Sequence, residues 1–249
     1  MLEYREVGQG QAVFLVHGNF AGKDWWREVL PQAPAGYRFI APDLPGFGES
    51  PAPEGFTPSI PFYAEALEGF AEALEARNPV LVGHSLGAAV VMEAALRDPA
   101  RYPALVLVAP APPNGYPTPE AYYPVLASYR TDRAGLAQAL RGIMPGRTPP
   151  YFEALVDLAQ GMHPAGFEGN ARALAAWSAA GRTGAYHGPV LVVWGTQDTL
   201  IPRAMAEATA QAFPRGRLVV LEGVGHSPML EAPERFVEVL EGFLQEVEG

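Results

Sequence analysis

Cysteine is absent from the 249-residue chain, which excludes disulfides, thiolate metal sites and a cysteine nucleophile. Lysine is almost absent as well: Lys23 is the only one, so positive charge is otherwise carried by arginine. Cations are scarce overall, 17 Lys and Arg against 27 Asp and Glu, and a net charge of −10 argues against nucleic acid and anionic membrane surfaces as partners. No apolar run approaches membrane-spanning length. Met1-Leu2-Glu3-Tyr4-Arg5-Glu6 lacks the basic region and apolar stretch of a signal peptide, so a cytoplasmic location is expected. There is no internal repeat and no low-complexity tract. With 49% hydrophobic residues and a mean hydropathy of +0.03, what is left is a globular chain able to bury a sizeable core in one large domain, or one domain with an insertion.

Short apolar runs alternate with helical stretches. Ala12–Val16, Tyr37–Ala41, Val80–Val82, Ala104–Ala109, Val190–Trp194 and Arg217–Leu221 read as strands. Pro61–Ala76, Ala88–Leu96, Arg203–Phe213 and Pro233–Val247 read as helices. This alternation implies a parallel sheet covered on both faces. It breaks at Pro110. Ala111–Pro117 reads as a linker, and from Pro119 to about Thr183 only helical patterns occur, over Glu120–Tyr129, Asp132–Ile143, Pro150–Met162 and Glu168–Ala180, separated by Gly and Pro. The expected organisation is an α/β core, 1–110 and 187–249, interrupted by an all-helical insertion at 111–186.

The chemistry gathers at Gly83-His84-Ser85-Leu86-Gly87, where an apolar strand runs straight into a helix. Glycines on either side relieve the crowding of so tight a turn and would leave the Ser85 hydroxyl exposed at the carboxyl end of the sheet. A serine needs a base to take its proton. Of the five histidines, His226 lies in the Gly-rich loop after the last strand, where it can swing over the sheet. The base in turn needs an orienting acid. Asp198, in Gly195-Thr196-Gln197-Asp198, follows a strand on the same edge; Asp43 competes, but Pro42 and Pro45 bracket it in what reads as a structural turn. Acyl transfer also requires backbone N–H donors aimed at the oxyanion. Leu86 supplies one at a helix start; the loop His17-Gly18-Asn19-Phe20 supplies the other, Asn19 first and Phe20 as the alternative.

Together these stretches resemble the α/β-hydrolase superfamily over nearly the whole length. The resemblance rests on His17-Gly18, the loop Pro42–Ser50, Gly83–Gly87, Gly195–Asp198 and Gly225-His226, in the family's order and spacing. It implies an α/β-hydrolase fold: a mostly parallel eight-stranded sheet flanked by helices, with Leu2–Val7 as its first visible strand and a helical cap over the active site. It also implies a Ser-His-Asp hydrolase without metal or cofactor, and a serine nucleophile sets it apart from the dehalogenase and epoxide hydrolase branches. The same three residues serve carboxylesterases, thioesterases, carbon–carbon bond hydrolases, lactonases, perhydrolases and a few non-catalytic receptors. A small or medium ester with an apolar portion is the first expectation for the substrate. Phe20, Trp25, Tyr123 and Trp177 are candidate contacts for it, although Trp25 and Trp26 could equally staple a helix. The arginines of 111–186 read as solvated helix faces before they read as a carboxylate site.

Overall fold

The computed structural model describes residues 1–248. A seven-stranded sheet runs through it in the order β1 (Tyr4–Gly8), β3 (Tyr37–Pro42), β2 (Gln11–Val16), β4 (Val80–His84), β5 (Leu105–Val108), β6 (Val190–Gly195), β7 (Gly216–Leu221). Only β1 is antiparallel, paired with β3 from Tyr4↔Pro42 to Gly8↔Arg38; every other neighbouring pair is parallel. The resemblance implied eight strands. The sheet has seven among the described residues, and the first strand begins at Tyr4 rather than Leu2.

Val, Leu, Ile and Phe fill β2 to β6 without polar alternation, and almost all these residues are buried. Such strands need cover on both faces, which the helices provide. The edge strands β1 and β7 are partly exposed. Helices α1 (Ile60–Ala73) and α2 (Leu86–Arg97) pack on each other. Ser59 caps α1 by accepting the Phe62 N–H at 3.2 Å, with Pro61 in the first turn.

Between β5 and β6 the chain forms α3 (Tyr123–Ser128), α4 (Arg133–Gly142), α5 (Phe152–Gln160) and α6 (Gly166–Ala176), with no strand among the described residues. Asp132 caps α4 through the Gly135 N–H at 2.8 Å. The helix expected over Glu168–Ala180 starts at Gly166 and stops at Ala176. There the Leu174 carbonyl accepts from the Tyr116 N–H, and the Ala179 N–H goes to Pro113. The chain peels off the helix because residues 113–116 lie alongside it and offer these partners. After β6 come α7 (Arg203–Gln211), β7, the short α8 (Pro228–Glu231) and α9 (Pro233–Glu248).

The strand order sets where a site can form. The chain leaves β2 for β3 on one side, then crosses back to β4 on the other, so the loops after β2 and β4 diverge over a crevice at the carboxyl edge. Val16 pairs with Gly83, which sets Gly18 beside Ser85: a Cβ on Gly18 would stand 3.1 Å from the serine Cβ and 2.9 Å from His84 Nδ1. A Cβ on Gly87 would run into the backbone carbonyl oxygens of Val16 and His17. Backbone atoms cannot step aside as a flexible side chain can. Gly87→Ala is therefore expected to cost about 3 kcal/mol or more. By contrast Gly242→Ala, with open space around an exposed helix position, should gain up to about 1 kcal/mol. Urea titration of the two variants checks the contrast.

Candidate active site

Ser85 has φ 52° and ψ −113°, a left-handed conformation that a side chain bearing Cβ adopts at a cost of about 1–3 kcal/mol. The surroundings enforce it. The Ser85 N–H donates to Val108 in β5 at 2.9 Å, and its carbonyl accepts from Ala88 at 3.0 Å and Ala111 at 3.3 Å. One residue later α2 has begun, so the Leu86 N–H belongs to the first turn, which has no acceptor within the helix. Helix N-termini of this kind favour negative charge.

His226 and Asp198 come together across two loops. The His226 Nδ1 donates to Asp198 Oδ2 at 2.9 Å, with both side chains at most 2% exposed. Asp198 Oδ1 accepts from the Leu200 and Ile201 N–H groups at 2.8 and 2.9 Å. Burial pushes the Asp198 carboxyl up, but the His226 hydrogen bond and charge and the two N–H groups outweigh it and hold the group below its ordinary value. An ionised acceptor on Nδ1 keeps the proton there and leaves Nε2 as the base of the neutral imidazole.

The backbone of His226 is held as firmly. Its N–H donates to Ile143 at the end of α4 at 2.9 Å, and its carbonyl accepts from His84 Nε2 at 2.8 Å. His84 is fully desolvated and its pKa is pushed down to about 3, so it stays neutral with the proton on Nε2. Its Nδ1 is buried and unpartnered among the described residues. Glu231, on α8, clamps the same loop: its carboxylate accepts from Gly225, Ser227 and Gly146 at 2.8–3.0 Å. Burial raises its pKa, and these three N–H groups only partly offset that.

On the other side of Ser85, Asn19 Oδ1 accepts from the Phe20 N–H at 3.0 Å and from Asn170 Nδ2 at 2.9 Å. The Phe20 N–H is thus occupied, whereas no acceptor lies on the Asn19 N–H among the described residues. That asymmetry favours Asn19 over Phe20 as the donor. Asp43 is committed elsewhere. It accepts from the Lys23 N–H and ammonium and from the Glu49 N–H, a buried knot that ties the loop after β3 to the loop after β2.

The four candidate substrate contacts divide. Phe20 sits on the loop beside Ser85, edge-on to Tyr129 and Phe167 at 5.8 Å each. Trp25 is 1% exposed and stacks on His84; Trp26 packs on Phe236 in α9. Tyr123 lies under the Arg172 guanidinium, and Trp177 donates its indole N–H to Glu93 at 2.9 Å. Asn170 and Glu231 escaped the sequence reading. Each is an ordinary polar residue in a helical stretch, and the partners that set it apart lie far away in the chain: Asn19 and Tyr63 for Asn170, Gly146 for Glu231.

Among the described residues no His, Asp and Glu cluster is arranged to hold a metal ion, and no helix is long and apolar enough to cross a membrane. A family model described as "Alpha/beta hydrolase family" matches residues 13–239. The pimeloyl-[acyl-carrier protein] methyl ester esterase of Aeromonas salmonicida is 30% identical over 95% of this chain and 96% of its own. The 2-hydroxy-6-oxo-6-phenylhexa-2,4-dienoate hydrolase of Comamonas testosteroni is 26% identical over 99% and 92%. Among solved structures, a thermophilic esterase from Thermogutta terrifontis superposes with a TM-score of 0.87 at 25% identity, covering all of this chain and 94% of that one.

The sign of the Asp198 shift makes a prediction. A carboxyl that holds its proton less tightly when folded stabilises the fold above its ordinary pKa of 3.8 and stops doing so as pH falls through the lower folded value. Wild type should therefore exceed Asp198→Asn in stability at pH 5 and above, with the gap closing below pH 3.8. Urea unfolding at stepped pH reads this; a gap that widens in acid contradicts it.

Proposed function

The chain belongs to the alpha/beta hydrolase family, and from that premise we propose that it is a serine hydrolase cleaving carboxylic esters with an apolar portion through an acyl-enzyme. The observation that carries the reading is the buried Asp198–His226 pair at 2.9 Å, in the company of a serine held left-handed on the turn from β4 to α2. In the proposed reaction Ser85 Oγ attacks the ester carbonyl carbon while His226 Nε2 takes its proton. Asp198 stabilises the imidazolium, and the Asn19 and Leu86 N–H groups receive the oxyanion. The tetrahedral adduct collapses: the C–O bond to the alcohol breaks and His226 returns the proton to the leaving oxygen. Water, deprotonated by His226, then attacks the acyl-enzyme, and its collapse frees the acid and restores the Ser85 hydroxyl.

We assign the helices of 111–186 to a cap over this site. Its attachments support that role: Asn170 to Asn19, Ile143 to His226, Gly146 to Glu231, and the His163 N–H to Gly46 at 2.8 Å. Phe20, Tyr129 and Phe167 form an aromatic group beside the oxyanion loop, which suits an apolar acyl or alcohol group. Recognition of a charged carboxylate is less well supported. Of the six arginines in the segment, Arg133, Arg141, Arg147, Arg172 and Arg182 already lie within 4 Å of Glu or Asp. An uncharged ester thus suits this cap better than the acidic dienoate of the Comamonas relative's name.

Wild type should hydrolyse short p-nitrophenyl esters and take up a fluorophosphonate probe at Ser85. Ser85→Ala should lose both while keeping its circular dichroism and melting temperature; turnover equal to wild type by that variant sinks the assignment. Asp198→Asn should lower kcat by about 10²–10⁴ with the fold intact, because the amide no longer holds His226 in the reactive tautomer.

A further inference from the structure

The oxyanion loop is held from outside the core. Phe20 has φ 55°, left-handed for a bulky aromatic residue, and the groups that keep it there come chiefly from the helical segment. Its ring meets Tyr129, just after α3, and Phe167 on α6. Its N–H meets Asn19 Oδ1, and that oxygen is in turn engaged by Asn170, one turn beyond Phe167 on the same face of α6.

The hydrogen bonds form a relay with a fixed direction. A backbone N–H can only donate, so the Asn19 atom facing Phe20 must be the oxygen. Asn170 must then present its nitrogen to that oxygen, at 2.9 Å. Its own oxygen is left for Tyr63 of α1, which must donate, at 2.7 Å. Burial pushes the Tyr63 phenol far above its ordinary value, so it remains a donor throughout the working range. The second amide hydrogen of Asn170 points to Met162 Sδ at 3.5 Å. Asn170 is fully buried, and its side chain is engaged by Tyr63, Asn19 and Met162. An apolar pair would pack the same space at similar net stability. What the amide adds is an orientation: it pulls the Asn19 side chain to one place and thereby fixes the peptide that carries the Asn19 N–H.

We propose that Asn170 is a positioning residue, which sets the oxyanion donor through Asn19 so that the donor is in place only when the helical segment is seated on the core. This rests on the esterase reading above, and it deepens it by making one end of the active site a property of the segment rather than of the sheet. Displacing α6 would release Asn19, relax Phe20 and leave Ser85, His226 and Asp198 assembled without their anion donor. The substrate-binding face and the chemistry would then be coupled, since whatever lifts or seats α6 also removes or supplies the donor.

The test uses the whole chain, with p-nitrophenyl butyrate turnover and amide hydrogen exchange read on each variant. Asn170→Leu, close in size but unable to donate, should lower kcat by about 10–100-fold with KM changed far less, since a displaced donor is missed mainly in the transition state. Exchange of the Phe20 N–H should speed up, and the pH profile of kcat should keep its shape. Asn19→Ala should behave alike, and combining the two should be no worse than Asn19→Ala alone, because both break one relay. A folded Asn170→Leu with wild-type kcat, or losses that multiply in the double variant, overturns the proposal. If Asn170→Leu does not fold, Asn19→Ala and Tyr63→Phe take its place, and unchanged kcat in both overturns it equally. Should wild type hydrolyse no ester, the esterase reading falls on that result. The relay is then judged by exchange alone: protection of the Phe20 N–H unaltered in Asn170→Leu overturns it.

Discussion

Everything in this structure defers to a single turn. Within one residue the chain passes from the extended backbone of β4 to the first turn of α2, and Ser85 absorbs the change at φ 52°. The turn works only because the neighbouring backbones close in on it. Gly87 lets the helix start against the carbonyls of Val16 and His17, and Gly18 lets the loop after β2 lie against Ser85. That closeness brings a helix N-terminus, a serine hydroxyl and a free loop N–H to one spot. The strain at Ser85 is offset by the parallel ladder on either side, where β4 is hydrogen-bonded to both β2 and β5. Buried central strands on both sides of it are what allow an unfavourable conformation to persist at the carboxyl edge.

Loops on such an edge would move freely unless something held them, and here buried polar groups do. His84 ties the His226 carbonyl, Glu231 gathers three N–H groups around it, and Ile143 takes its N–H. On the opposite side Lys23 and Asp43 lock the loops after β2 and β3 together. These bonds join different parts of the chain, although His84 Nδ1 has no partner among the described residues. Their net stabilising effect is modest, yet removing one partner from any of these buried bonds would be expensive. Such networks define position more than they add stability. The helices between β5 and β6 contribute to both sides, through Ile143 and Gly146 for His226 and through Asn170 for Asn19.

Much of this was legible in the sequence, for reasons that are local. The strands β2, β4, β5 and β6 are unbroken apolar runs, and a run of that kind ending in Gly-His-Ser-Leu-Gly admits few other conformations. Ser85, Asp198 and His226 stand out as candidates because each lies just beyond a stretch that reads as a strand. What was not legible depends on pairings across the fold. Asn170 is one polar residue in a helical stretch, and what distinguishes it is the approach of Asn19, 151 residues away, and of Tyr63, 107 away. Glu231 reads as an ordinary helix-terminal acid until Gly146 arrives from 85 residues upstream. The early end of α6 has the same origin, since residues 113–116 supply the partners that draw the chain away. The eighth strand was borrowed from the family pattern, and residues 1–3 do not form it.

The knot at Lys23 has a consequence for the outside of the molecule. The only lysine of the chain is 5% exposed and bound between Asp43 and Glu49, so the surface presents no lysine amine to solvent. Outward-facing cations are guanidiniums, many of them already forked onto a carboxylate, as Arg133 is onto Glu153 and Asp157. Reagents that acylate side-chain amines, aldehydes that cross-link them, and enzymes that read or modify lysine find nothing accessible to act on. In its native state the protein offers that chemistry no side-chain amine.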